Sequence, residues 1–199
     1  TGSGILTNAT ALRAILAEER PQPRFVTGFD DVIRTDGHDL QDALETAYAQ
    51  DGDDEVCLIC RSNKRAYQYS QQVRARIHGY EEELCSGDRL MVAKNDYFWA
   101  GQNGKPELIA NGEQFVVSRV HAVEERYGLR FADITVRWWN GAEERELEGK
   151  VMLDVLSIDA PSLPMPRLRL LRESIFNSYS APTKGARMKQ LKKDAFAQA

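Results

Sequence analysis

The chain has 199 residues, of which 42% are hydrophobic and 28% are charged, and its formal net charge is −4. This composition supports one medium or two small globular domains, and it excludes a globally basic nucleic-acid-binding protein. Any contact with nucleic acid must therefore come from a local patch. No apolar run approaches the roughly 18 residues of a membrane span, and no basic-then-apolar leader is present. We therefore expect a cytoplasmic protein without a membrane partner.

Two helices are predicted before residue 51. The first covers residues 8–19, with Asn8 or Thr10 as its cap and Pro21 as its stop. The second follows Asp39, a possible cap, because apolar residues recur at helical spacing from residue 40 to residue 48. The acidic run at 51–55 lacks the glycine and glutamate of a calcium loop, so we predict a solvated turn.

A continuously apolar segment, residues 56–60, is typical of a central strand covered on both faces. Arg61, Ser62 and Asn63 follow it directly, and a helical stripe then runs from about Lys64 to His78. This strand, polar tip and helix predict an α/β first part with the tip at the carboxyl end of the strand, where such proteins place binding groups. Capping of the helix by Ser62 or Asn63 would explain these residue types equally well.

The three cysteines are too few for a disulfide framework. Cys57 and Cys60 form a CxxC pair, but residues three apart in a strand point to opposite faces, which favours packing over a redox or zinc site. Cys85 stands alone, and the three histidines are scattered singly. We predict no metal site.

From residue 84 the pattern changes to period two, which predicts a small β-barrel of the SH3-like or OB type. The predicted strands cover 89–94, 115–124, 130–139 and 145–153, and the predicted turns are Asn111-Gly112, Tyr127-Gly128 and Asn140-Gly141. After residue 158, Pro161 and its neighbours break the sheet pattern and a helical stripe begins at Leu168. Five basic residues at 184–193 form either a solvated helix face or a phosphate contact.

The motifs of a nucleotide hydrolase are missing from the sequence. A P-loop needs GxxxxGK followed by Ser or Thr, and the nearest miss, Gly104-Lys105, has Pro106 in place of the hydroxyl. No nucleophile-and-base set is recognisable. The chain alone is therefore not expected to be an enzyme. Tyr97, Phe98 and Trp99 offer either stacking surfaces for bases or ordinary packing.

Three spaced segments of the sequence carry a family resemblance. They are Ile59-Cys60-Arg61-Ser62-Asn63-Lys64-Arg65-Ala66, then Gly87-Asp88-Arg89-Leu90-Met91 with Lys94-Asn95-Asp96-Tyr97, and then Ala110-Asn111-Gly112-Glu113. The first segment looks like the RTN/RSN strand end that touches the single strand in the second motor domain of RecD/Dda-type DNA helicases of superfamily one. The other two are similar to a further signature of that group. Among such proteins are bacterial ATP-dependent exonuclease or helicase subunits.

The resemblance implies a fold class of α/β plus all-β. Residues 1–83 would form part of a RecA-like domain, residues 84–158 an SH3-like barrel inserted into it, and residues 159–199 a helical segment that returns to the motor domain. The missing N-terminal motor domain would be the partner, and ATP and Mg²⁺ would belong to the whole parent protein, with no cofactor in this chain. The implied contacts with single-stranded DNA are Arg61, Ser62, Asn63, Lys64, Asn95, Tyr97 and Trp99.

A second interpretation comes from a different class. SH3-like folds often recognise protein partners, and the acidic balance of the chain favours a free-standing protein-interaction module.

Overall fold

A computed structural model describes residues 2–16, 22–99, 101, 108–139, 141–160 and 162–199. It divides into two compact units, one ending at Leu58 and the other beginning at Ile59. The predicted domain boundaries near residues 83 and 158 therefore both fall inside the second unit. Several predicted features lie outside the described residues: positions 17–19 of the first helix, Pro21, Gly104-Lys105, Pro106, Asn140 and Pro161.

The first helix, α1 (Gly4–Ile15), begins four residues earlier than predicted. Its N-cap is Ser3, whose hydroxyl accepts from Leu6 N at 3.2 Å, and Asp31 accepts from Gly4 N at 2.8 Å. The Ser3 hydroxyl also donates to Asp31. This hydrogen bond is the main cause that holds the pKa of the Asp31 carboxyl below its usual value. The prediction that Asn8 caps the helix is wrong, because Asn8 lies within α1 and its side chain is buried.

Polar contacts hold the first unit together. The Asn8 side-chain amide donates to the carbonyls of Gly4 and Val26 and accepts from Val26 N, all within 2.9 Å. Helix α2 (Leu40–Asp51) has Asp39 at its N-cap position, as predicted, but no side-chain hydrogen bond caps it. Asp36 accepts from the amides of His38 and Asp39 in the turn before the helix. Among the described residues before residue 84, no large apolar side chain is fully buried.

The second unit opens with α3 (Asn63–Gln72), which continues into a π-helical turn (Val73–Ile77), and it centres on a four-stranded antiparallel sheet. The strands are β1 (Arg89–Met91), β2 (Gln114–Arg126), β3 (Leu129–Trp139) and β4 (Glu144–Met152), in that spatial order. Two register shifts in β2 accompany the curling of the sheet into a half-barrel. The predicted strands at these positions are confirmed.

Both faces of the sheet are partly covered. On one face Ala132, Ile134, Val136 and Trp138 of β3 pack with Leu84 and Ile109. The other face carries Leu129, Phe131 and Met152, covered by C-terminal helices. These are α5 (Met165–Ser178), α6 (Lys184–Leu191) and α7 (Ala195–Gln198), preceded by the short α4 (Leu153–Leu156). No helix among the described residues is long and apolar enough to cross a membrane.

The predicted central strand at residues 56–60 is not formed. No ladder pairs this segment with another strand among the described residues. Its apolar side chains stay in contact with solvent, and Ile59 is 94% exposed. A strand is stable only with neighbours to bond, and the strands that the structure describes, β1 to β4, pair in a sheet that does not include this segment. The RecA-like sheet that the resemblance implies is therefore not shown.

Candidate nucleic-acid interface

The polar tip predicted from the sequence forms the beginning of α3. Ser62 has an extended backbone (φ −144°, ψ 151°), and its hydroxyl accepts from Arg65 N at 3.3 Å, so Ser62 is the N-cap. Asn63 and Lys64 occupy the first helical positions, where backbone N–H groups have no partner within the helix. The capping interpretation of Ser62 is thus confirmed, and the tip adjoins a helix but no paired strand.

Three cations surround this helix end. Arg61, Lys64 and Arg65 are all exposed, as are Ser62 and Asn63. The positive end of a helix dipole together with unpaired N–H groups favours an anion, and neighbouring cations strengthen that preference. Chemically, the tip can bind a phosphate group; it carries no group that would act as a nucleophile or general base.

The segments that resemble the helicase signature contact one another. Asp96 and Ile109 exchange two backbone hydrogen bonds of 2.9 Å, and Val92 N donates to Glu113 O at 2.9 Å. The Asn95 side chain accepts from Asn111 N at 2.9 Å. The signature residues therefore join two loops at the margin of the sheet.

Asp88 and Glu113 have similar structural roles. The Arg74 guanidinium donates two hydrogen bonds to the Asp88 carboxylate, at 2.7 and 2.9 Å, and so joins the π-helical turn to the start of β1. The hydrogen bond to Asp88 is the main cause that raises the pKa of Arg74. Glu113 accepts from Ala110 N and from the Trp138 indole. Several resemblance residues thus have a structural explanation that requires no DNA.

The aromatic candidates Tyr97 and Trp99 differ in accessibility. Tyr97 is 68% exposed, so its ring is available to a base. Trp99 packs beside Gly149, lies edge-on to Phe98 at 4.9 Å, and donates its indole N–H to Gln198 O at 3.1 Å. These contacts assign Trp99 to packing, and Asn95 likewise to the loop contact described above.

The structure does not bring the seven candidate residues into one cluster. Asn63 is the first residue of α3, and Arg74, which bonds Asp88 beside the sheet, follows it by eleven residues. Eleven residues span about 16 Å along a helix. Among the described residues no hydrogen bond or ring contact joins Arg61, Asn63 or Lys64 to Asn95 or Tyr97. The tip and the Tyr97 loop are two separate exposed features of the same unit.

Two exposed apolar residues on the sheet, Met91 and Trp139, are not among the residues predicted from the sequence. The strand registers place Met91, Gln114 and Trp139 on the same face, opposite to the buried Trp138. Met91 is 69% exposed and Trp139 is 62% exposed. The sequence Trp138-Trp139 within a predicted strand indicates one exposed tryptophan, because only one of two successive strand residues can face the core.

The described residues contain no group of three or more His, Cys, Asp or Glu side chains placed to hold a metal ion. Cys57 is exposed and Cys60 is half-buried, and neither is in a disulfide.

The sequence matches no protein-family model, and no curated protein is significantly similar to it. The resemblance to RecD/Dda-type helicases therefore rests on the quoted segments alone.

Proposed function

We propose that this chain contributes single-stranded DNA contacts to an ATP-dependent DNA helicase or exonuclease subunit of the RecD/Dda type. The observation that carries the proposal is the exposed, Ser62-capped start of α3 with Arg61 and Lys64 beside it. Residues up to 83 would belong to a RecA-like motor domain, and the half-barrel would be its SH3-like insertion. ATP, Mg²⁺ and the N-terminal motor domain belong to the cytoplasmic parent protein, and this chain alone hydrolyses no ATP.

Two features support contact with single-stranded DNA, one at the tip and one on the Tyr97 loop. Its cations stand at the end of a helix with unpaired N–H groups, which is a favourable place for one phosphate. Tyr97, on a separate loop, offers an exposed ring for a base, a contact worth about 1–3 kcal/mol in single-strand binding proteins.

The proposal is tested by titrating a fluorescent single-stranded oligonucleotide with the chain and with the double variant Arg61→Ala/Lys64→Ala. Losing two phosphate-contacting charges should weaken binding. It should also make the slope of log affinity against log salt concentration shallower by roughly 1.4, since each contact on a single strand contributes about 0.7 to that slope. The matched control is Arg13→Ala/Arg34→Ala, which removes the same charge from exposed positions of the first unit.

Unchanged affinity of the tip variant would remove Arg61 and Lys64 from the site. Equal weakening in both variants would show that only net charge matters. ATP hydrolysis by the purified chain would contradict the proposed division between this chain and its motor partner.

A second candidate function has its own observation. Exposed Trp139 and Met91 on one sheet face suit a protein-interaction module, because large exposed apolar side chains are enriched at binding surfaces. Under this alternative, Trp139→Ser would abolish binding to a protein partner and leave oligonucleotide binding unchanged.

A further inference from the structure

Positive charge is concentrated in the C-terminal helices of an otherwise acidic chain. Residues 165–193 contain eight lysines and arginines and one acidic residue, Glu173, which is a formal charge of +7 within a chain of −4. Such segregation is the electrostatic pattern of a surface that binds a polyanion. In the sequence only the part at 184–193 stands out as a basic cluster, because the loop at 179–183 separates the arginines of α5 from it.

The fold directs this charge outward. Helix α5 buries Leu171 and Ile175 against the sheet, with Leu168 packed beside them. Helix α6 lies next to α5, and Arg187 stacks over the Phe176 ring at 5.8 Å. The apolar sides of the hairpin are thus used for packing, and the remaining cations face solvent.

Six of the eight cations form what we call the basic hairpin surface. They are Arg169, Arg172, Lys184, Lys189, Lys192 and Lys193. All six are exposed, and none of their side chains has a hydrogen bond or ion pair within the part of the chain that the structure describes. The other two are engaged: Arg167 lies 3.5 Å from Asp154, and Arg187 donates to Ala181 O at 2.8 Å.

We propose that the basic hairpin surface binds the phosphate backbone of duplex DNA. Arg169 and Arg172 of α5, together with lysines in α6 and just after it, can neutralise phosphates without reading bases. The exposed apolar side chains nearby, Met165, Leu170 and Met188, are aliphatic and supply no ring on which a single-stranded base would stack. The site therefore goes beyond the single-strand contacts proposed above and does not depend on them.

An anionic membrane is the competing partner for a basic helix pair. A helix that lies on a bilayer inserts a continuous apolar face. In α5 that face is Leu168, Leu171 and Ile175, which the sheet already covers. Met165, Leu170 and Met188 remain exposed, but three aliphatic side chains beside six exposed cations give little apolar area to insert, so the observations favour nucleic acid.

The experiment measures binding of the whole chain to a fluorescent DNA duplex of random sequence at several salt concentrations. For the unmodified chain we expect a log–log salt slope of about −5, since each of six phosphate contacts contributes about 0.9. The variant Lys184→Gln/Lys189→Gln/Lys192→Gln should bind at least about tenfold more weakly at low salt, with a slope shallower by about 3.

The matched control is Arg13→Gln/Arg24→Gln/Arg34→Gln, which removes the same charge from exposed positions of the first unit. It should bind duplex as tightly as the unmodified chain. Circular dichroism of the two variants should be identical, so that a folding defect is distinguished from a binding defect. The double variant Arg61→Ala/Lys64→Ala should also keep duplex binding, which separates this site from the α3 tip.

Three results would overturn the proposal. One is no salt-dependent duplex binding by the unmodified chain; another is equal weakening in the hairpin and control variants. The third is binding to phosphatidylserine vesicles, lost in the hairpin variant, without binding to duplex, which would assign the surface to a membrane.

Discussion

Asp88 connects the helical start of the second unit to its sheet. Its side chain is 8% exposed and that of Arg74 is 18% exposed, so the pair is shielded from solvent. The carboxylate also accepts from Cys85 N at 2.7 Å, and Asp88 O accepts from Val117 N at 2.8 Å. One residue therefore fixes the π-helical turn, the loop before β1 and the neighbouring strand β2.

Asp88→Asn should lower the free energy of unfolding by about 3 kcal/mol, because it leaves the shielded Arg74 charge without its anion. Urea denaturation followed by circular dichroism measures the change. Arg137→Ala is the control: its pair with Glu144, at 3.3 Å, is exposed on both sides and should contribute less than about 1 kcal/mol. If both variants shift the urea midpoint equally, the Arg74–Asp88 pair has no special role.

At the residue scale, contacts between residues close in the chain were predictable and contacts between distant residues were not. The Ser62 cap was one of two interpretations of the polar tip, and it was accessible from the sequence because a cap bonds an amide only three residues away. The roles of Asn8 and Trp99 depend on Val26 and Gln198, which are distant in the chain. No local pattern contains those contacts.

At the element scale the four strands of the sheet were predictable because period-two alternation and turn residues are local signals. Gly112 and Gly128 have positive φ, a backbone that favours glycine, and the Asn-Gly and Tyr-Gly pairs of the sequence supply that residue. The strand at 56–60 failed for the opposite reason. Its composition was suitable, but pairing depends on partners that periodicity does not identify.

Helix α7 closes one face of the sheet through a single ring. Phe196 lies edge-on to Phe131 at 5.0 Å, and the cations of Arg126 and Lys150 lie over it at 4.8 and 4.6 Å. Burial alone would lower the pKa of Lys150, but hydrogen bonds to Asp133 and Glu124 outweigh it and raise the pKa. The charge of Lys150 is therefore retained beneath the ring.

Phe196→Ala should reduce the free energy of unfolding by about 2 kcal/mol, less than for a fully buried ring, and should release α7. Because Gln198 O accepts from the Trp99 indole, release should shift the Trp99 indole resonance in NMR spectra. Gln198→Ala keeps that backbone carbonyl and should leave the resonance in place. An unmoved resonance in Phe196→Ala would show that α7 stays docked without its ring.

At the scale of the whole molecule the two units differ in what stabilises them. The second has two buried apolar clusters, whereas the described part of the first is held by Asn8, Asp31 and other polar groups. Hydrogen bonds open more readily where little apolar area is buried with them.

We therefore expect the amide hydrogens of α2 to exchange with solvent faster than those of β3. Hydrogen exchange followed by NMR or mass spectrometry measures the difference. Helix α5 is the matched control, because it is also a helix but packs Leu171 and Ile175 on the sheet. If α2 and α5 are equally protected, hydrogen bonding alone stabilises the first unit as well as a core does.

The unpaired segment at residues 56–60 has a consequence for handling the protein. Five consecutive apolar residues with no strand partner among the described residues, and with Ile59 94% exposed, can pair with the same segment of another copy of the chain. Identical segments stack most readily on each other, in register, into fibrils. Fibril growth from this segment, more than unfolding of the half-barrel, should limit the concentration at which the purified chain remains clear.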